Sequence, residues 1–174
     1  MASILAFESF DGGSHRQFHE TITRHSSHDW TWITRPPRGW KWRMAISAHE
    51  MVDEMIKQGI TKPDCIFATS LVNVAALRSA LPRGWRDLPV ILYMHENQVA
   101  YPTDDARDAS FAITNLQSVL TSDLTIFNSK WNLDSFIEGT TSLLKHANDC
   151  ALGDIKQRNR EASTVSWVPV ESPK

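Results

Sequence analysis

Five residues, Val90-Ile91-Leu92-Tyr93-Met94, run on without a charged or strongly polar break and then give way at once to His95-Glu96-Asn97-Gln98. An uninterrupted run of this length suits a strand with helices over both faces of a parallel sheet, where neither face meets water. A strand with one wet face would alternate instead. In open parallel sheets ligands gather beyond the carboxyl ends of the strands, and there the four polar side chains fall. The run therefore points to a layered α/β fold and marks one edge of its sheet as a candidate site.

Strand-like and helix-like segments alternate along the rest of the chain. Ser3 to Phe7 reads as a strand, Gly12-Gly13 as a turn, and Ser14 with Gln17 as a capping box opening a helix to about Ser26. Trp30 to Thr34 reads as a second strand, after which Pro36-Pro37 and Gly39 leave a loop rich in Arg and Trp. Met44, Ala48, Met51, Val52, Met55 and Ile56 recur at helical spacing, predicting a helix from Met44 to Lys57 that Gly59 closes. Cys65 to Ala68 is a third strand, and Ser70 is placed to cap a short helix ending near Ser79. Beyond Tyr101-Pro102, Phe111, Leu116, Val119 and Leu120 mark a helix; Leu124 to Phe127 reads as a strand, Lys130 to Ile137 as a helix and Thr164 to Val168 as a last strand. The polar segment from His146 to Glu161 has the weakest pattern. This order predicts right-handed crossovers and one doubly wound, mostly parallel, Rossmann-like domain over residues 1–174.

Composition narrows the functions open to such a domain. With 41% apolar and 22% charged residues, disordered and fibrous classes are excluded. The 18 basic and 20 acidic residues nearly cancel, so any nucleic-acid contact needs a local patch rather than a global field. Cys65 and Cys150 make neither a disulfide framework nor a metal-ligand pair, so a reducing cytoplasm is expected. No stretch approaches the roughly 18 apolar residues of a membrane span.

Four constellations are candidates for chemistry. In Phe10-Asp11-Gly12-Gly13-Ser14-His15, glycines between strand and helix let a ligand approach the backbone and the helix N–H groups favour an anion; a tight turn before a capped helix is the alternative. A dinucleotide fingerprint is absent, since the glycine spacing fails and Arg35 stands where an acid is needed. Arg35 to Arg43 concentrates Arg38, Lys41 and Arg43 with Trp40 and Trp42, which suits phosphates and stacked bases of RNA, or equally a loop anchored by its indoles. His95 and Glu96 have acid–base capability, and Asn97 and Gln98 can read hydroxyls or amides; a capped turn is the alternative. The zinc-protease motif fails because His-Glu-Asn-Gln-Val lacks its second histidine. Phe127-Asn128-Ser129-Lys130-Trp131-Asn132 places Asn128 and Ser129 on the same sheet edge, as helix cap, ligand contact or both. His19, His25, His28 and His146 are read as solvated surface residues.

Taken together, these segments resemble the amino-terminal domain of the tRNA-queuosine α-mannosyltransferases, GT-B proteins related to the family 4 retaining glycosyltransferases. The similarity runs from Ser3 to Val170 and is most specific at His95-Glu96-Asn97-Gln98 with Tyr101-Pro102. Phe67-Ala68-Thr69-Ser70, Asn73, Leu77 and Arg107-Asp108 also fit, whereas Ala109 to Thr114 is less aromatic than the family pattern. The resemblance implies transfer of mannose from GDP-mannose to queuosine in tRNA, with the acceptor mostly on this domain and the nucleotide sugar mostly on a second one. That second domain is expected outside this chain, in cis or in trans.

It further implies that His95 and Glu96 serve catalysis, and that Gly12, Gly13, Ser14, His15, Asn97, Gln98, Tyr101, Asn128, Ser129 and Asn132 contact substrates. No cofactor, bound metal or membrane is expected. A non-catalytic tRNA- or nucleotide-binding module, or half of a transferase with another acceptor, are the alternatives.

Overall fold

The computed structural model describes residues 1–101, 106–147 and 152–169, without the side chains of residues 106–108. Expectations for Pro102, the Arg107 and Asp108 side chains, Cys150 and Val170 lie outside the described residues. The elements follow in the order β1 (Ser3–Glu8), α1 (Gly13–His25), β2 (Asp29–Thr34), α2 (Trp40–Lys57), β3 (Cys65–Thr69) and α3 (Val74–Ala80). They continue with β4 (Val90–Met94), α4 (Ala106–Thr121), β5 (Leu124–Phe127), α5 (Lys130–Leu144), α6 (Ile155–Glu161) and β6 (Ser163–Val165).

All six strands are parallel, in the order β2-β1-β3-β4-β5-β6. This is a Rossmann-like doubly wound sheet. Alternate side chains of its inner strands enter two cores, as a pleat of period two requires. Leu5, Phe7, Ile66, Ala68, Leu92, Met94 and Phe127 join the α2, α3, α4 and α5 side. Ala6, Phe67 and Tyr93 meet Phe18 of α1 on the other. Full burial of Phe7, Phe18, Phe127 and Phe136 contributes about 1.5–3 kcal/mol each. Among the described residues, no helix is long and apolar enough to cross a membrane.

Several boundaries differ from the sequence expectation for local reasons. α2 begins at Trp40 rather than Met44, so Trp40 to Arg43 form its first turn and not a loop. Gly39, with φ of 62°, supplies the left-handed turn that starts it. α1 opens at Gly13 with Gly12 as N-cap and no side-chain cap bond, so Ser14 and Gln17 form no capping box. Asn73, not Ser70, caps α3 by accepting from the Ala76 N–H, while Ser70 is buried beneath it. α5 passes Ile137 because Leu133, Phe136, Ile137, Thr140 and Leu144 continue one inward stripe. In the weakly patterned segment, Asp154 caps α6 through the Gln157 N–H. Pairing of β6 ends at Val165; Ser166 then accepts from the Tyr93 hydroxyl and Val168 packs on the α1 side.

Candidate active site at the carboxyl edge of the sheet

Because every strand points the same way, the turns after β1, β2, β3 and β4 emerge at one edge. The chain reverses its direction of winding between β1 and β3, the switch point at which open α/β sheets form clefts. A cleft of about 610 Å³ lies there, lined by Phe10, Gly12, Gly13, Ser14 and His15 from the first turn. Pro37 and Trp40, then Leu71, then Glu96, Gln98 and Tyr101 complete it from the next three. A second cleft, about 370 Å³, is bounded by His95 to Asn97, Ala100, Tyr101, Asn128, Ser129, Trp131 and Asn132. Glu96 and Tyr101 border both clefts, joined by a 3.0 Å bond from the tyrosine hydroxyl to the carboxylate. Burial and the Glu96 charge raise the pKa of that hydroxyl, which keeps it a donor.

Glu8, absent from the sequence-derived candidates, forms the floor of this edge. It is fully buried; Oε1 accepts from the Phe10 N–H at 2.8 Å and Oε2 lies 3.0 Å from Nδ1 of His15. A carboxylate only accepts, so Nδ1 of His15 carries the proton. The His15 ring stacks on His95 with centroids 4.1 Å apart and planes 30° apart, while Phe18 and Tyr93 meet His95 edge-on. Burial opposes charge on His15, but the hydrogen bond and charge of Glu8, with Glu96 and Asp11 beyond, outweigh it and raise its pKa. Burial, then repulsion by His15, pushes His95 down to about 2, so it is neutral near pH 7. Nε2 of His95 is buried without a hydrogen-bond partner among the described residues.

Glu8, His15 and His95 could offer ligand atoms within 4.8 Å of one another. Two imidazoles sharing a tetrahedral metal at about 2.0–2.1 Å from each nitrogen hold their centroids roughly 5 Å apart and converging. The observed rings are closer, at 4.1 Å, with planes only 30° apart, so the arrangement suits proton placement better than chelation.

The amides proposed for substrate contact divide into two groups. Asn97 and Asn132 are buried and engage each other: Asn97 Nδ2 donates to Oδ1 and to the backbone oxygen of Asn132. Asn132 Nδ2 donates to the Met94 carbonyl and to Asn128 Oδ1, each at 2.9 Å, and Asn128 Nδ2 donates to the His95 carbonyl at 2.6 Å. These three residues tie the end of β4 to the first turn of α5. Ser129 caps α5 by accepting from the Asn132 N–H at 3.1 Å. Gln98 is held differently, its backbone N–H bonding Asn115 Oδ1, and its side chain borders the larger cleft. Ser14 is exposed at that rim.

The basic and aromatic residues are also separated by their settings. Trp40 packs on Phe111 at 5.1 Å beside the cleft, and the Lys41 ammonium lies 5.5 Å and 5.7 Å from the two rings. Trp42 is 72% exposed, and Arg38 is exposed. Arg43 is drawn onto Glu50 at 2.9 Å, and Arg35 meets the same carboxylate at 2.9 Å. His25, His28 and His146 are exposed as expected. His19 is a correction: its ring lies on Trp32 at 4.9 Å and Nδ1 is 3.2 Å from Asp11.

Sequence reasoning missed Glu8, whose signal is a carboxylate closing an apolar strand seven residues before a histidine. It also passed over Pro37, which packs against Gly12. A Cβ on Gly12 would stand 2.5 Å and 2.6 Å from two Pro37 ring carbons, so the turn needs glycine for close approach. Gly12→Ala is expected to cost about 1–3 kcal/mol by overpacking and to displace the Pro37 wall. A thermal melt matching the unsubstituted protein would contradict that contact.

The parallel sheet with its cleft at the switch point defines an open, Rossmann-like α/β domain built to present loops to a ligand. Within that class the chain belongs to the tRNA-queuosine alpha-mannosyltransferase N-terminal family, whose family model matches residues 3–170. A tRNA-queuosine alpha-mannosyltransferase of Drosophila melanogaster is 29% identical over 173 residues, covering 96% of this chain and 44% of the fly protein. The chain thus spans less than half the length of that relative. A two-component response regulator of the LuxR family from an Aurantimonas species superposes with a TM-score of 0.42 and 14% identity, over 92% of this chain and 96% of that chain. So slight a likeness has no bearing on function.

Proposed function

We propose that this chain is the acceptor-side domain of a GT-B glycosyltransferase that moves mannose from GDP-mannose to a hydroxyl of queuosine in cytoplasmic tRNA. The observation that carries the reading is the convergence of Gly12 to His15, Glu96, Gln98 and Tyr101 on one cleft, in a chain whose family match covers residues 3–170. A second domain, in cis or in trans, faces this edge and brings most of the donor contacts. The α1 N-terminus, with its free N–H groups, suits the diphosphate, since it favours negative charge, and His15 lies beside it in the same cleft. His95 serves the reacting centre, and Glu96 with Gln98 binds sugar or cyclopentenediol hydroxyls. Asn97, Asn128 and Asn132 hold the loop that carries them.

The deciding experiment pairs the chain with the remainder of its enzyme and measures mannose transfer from GDP-mannose to tRNA with and without queuosine. Transfer only to the queuosine-containing tRNA is expected. Absence of transfer with retained tRNA binding would favour the non-catalytic module, and transfer to another acceptor would replace queuosine in the proposal.

RNA contact is assigned to Arg38, Lys41, Trp40 and Trp42. Arg38→Ala with Lys41→Ala is expected to weaken tRNA binding about tenfold and to lower the salt slope by about 2, one for each phosphate left without its cation. Arg43→Ala, removing a cation held by Glu50, is expected to change that slope far less. A double variant that binds with unchanged salt dependence would move the RNA surface elsewhere.

A further inference from the structure

Beneath the larger cleft lies a buried carboxylate to which neither substrate contact nor loop support has been assigned. Glu8 closes β1 at the sheet's ligand-bearing edge, fully buried, with both oxygens engaged at 2.8 Å and 3.0 Å. Its Phe10 bond shapes the turn into Gly12, and its His15 bond fixes a side chain that lines the larger cleft. A leucine would fill the same space without desolvating a charge, so stability alone gives little reason for an acid here. The His15 ring then lies against His95, tilted by 30° at 4.1 Å between centroids, and Nε2 of His95 is buried and unpartnered.

We propose that Glu8 is the positioning residue of this cleft: it holds a proton on Nδ1 of His15 and thereby fixes the ring that lies against His95. The carboxylate acts through His15 and touches neither cleft itself, since neither cleft includes it. Glu8 acting on His15, and burial acting on His95, give the two adjacent histidines different tasks. His15 is favoured to keep its proton on the side facing Glu8, and His95 is left uncharged by its burial. The ionisable groups around His15 are Glu8 at the end of β1, Asp11 in the following turn, and Glu96 and His95 beyond β4. Three acids thus act on it, and Glu8 makes its hydrogen bond. The differing environments separate the two titrations, the arrangement by which sites assign distinct proton-transfer roles.

The inference rests on the transferase reading for its purpose, but its test does not require turnover. Nitrogen-labelled histidine resonances of the 174-residue chain, followed from about pH 5 to pH 9, report protonation and tautomer at each ring directly. In the unsubstituted protein His15 is expected to titrate above the ordinary 6.5 with the proton on Nδ1, while His95 remains neutral throughout. Glu8→Gln retains a side-chain oxygen for the Phe10 N–H but removes the charge. It is expected to bring the His15 titration down to or below the ordinary value.

An unmoved His15 titration in Glu8→Gln, or a neutral His15 protonated on Nε2 in the unsubstituted protein, would overturn the proposal. If Glu8→Gln does not fold, Glu8→Asp provides the second test: a shorter side chain draws the carboxylate away from Nδ1 and is expected to lower the His15 titration, and no movement counts against the pair. Altered histidine titrations without any mannose transfer would remove the transferase reading and leave the role of Glu8 standing. Transfer with unmoved titrations would do the reverse.

Discussion

On the proposed transferase reading, replacing His95 with phenylalanine is expected to lower mannose transfer by the complete enzyme about 10²–10³-fold, the range for loss of one positioned hydrogen-bonding group beside a reacting centre. The phenyl ring retains the edge contacts with Phe18 and Tyr93 and the stack on His15, so the thermal midpoint should remain close to that of the parent. His95→Ala removes the ring as well and is expected to lose both transfer and stability, because Phe18, Tyr93 and His15 then border a void. Comparing the two variants separates chemistry from packing. Full transfer by His95→Phe would take the imidazole out of the reaction, whatever the alanine variant does.

The largest structural effect is expected at Asn132, although its side chain is nearly hidden. Asn132→Leu keeps approximate volume but strips the acceptor from Asn97 and the donor from the Met94 carbonyl and Asn128. Each partner keeps another bond: Asn97 Nδ2 to the Asn132 backbone and Ser135, the Met94 carbonyl from the Asn128 N–H, and Asn128 Oδ1 from Ser129. The loss is therefore three net hydrogen bonds at about 0.5–1.5 kcal/mol each, and the fold should be destabilised by about 2–4 kcal/mol, a fall in midpoint of roughly 4–16 °C for a domain of this size. The His95 carbonyl is held by Asn128, a neighbour in the same network, so transfer should decline even well below the new midpoint. A midpoint within about 2 °C of the parent would show that these amides do not clamp β4 to α5.

The layered α/β fold was legible because the signal for parallel strands is local. Val90 to Met94 and Cys65 to Thr69 are short apolar runs, and the helices between strands repeat apolar residues at three- and four-residue spacing. Helix starts were less legible because a cap depends on where a side chain finds a free N–H. Ser70 and Asn73 both suit the position chemically, yet only Asn73 reaches the Ala76 N–H in the folded turn. The first turn of α2 was hidden by its own composition, since two prolines and a glycine precede Trp40 and suggest that the loop continues.

The candidate site shows the same division. His95-Glu96-Asn97-Gln98 could be placed at a strand end from the sequence, along with the glycine turn and Asn128-Ser129. The sequence also carried the family resemblance. It did not distinguish side chains facing a cleft from those holding the loop, because Asn97 and Gln98 are adjacent amides with equivalent hydrogen-bonding capacity. Tertiary structure separated them. Asn97 turns inward to Asn132, while Gln98 borders the larger cleft.

What the sequence alone determined was the parallel α/β class and the strand edge on which polar groups collect, since both follow from hydrophobic periodicity and from residues next to one another. Only tertiary structure joined Glu8, His15 and His95, which come from the end of β1, the first turn of α1 and the end of β4. Their contacts arise when β3 enters between β1 and β4 and all three strands end at one edge. The proton assignment depends on that assembly, because burial and a charge a few ångströms away set a histidine's state far more strongly than its neighbours in sequence.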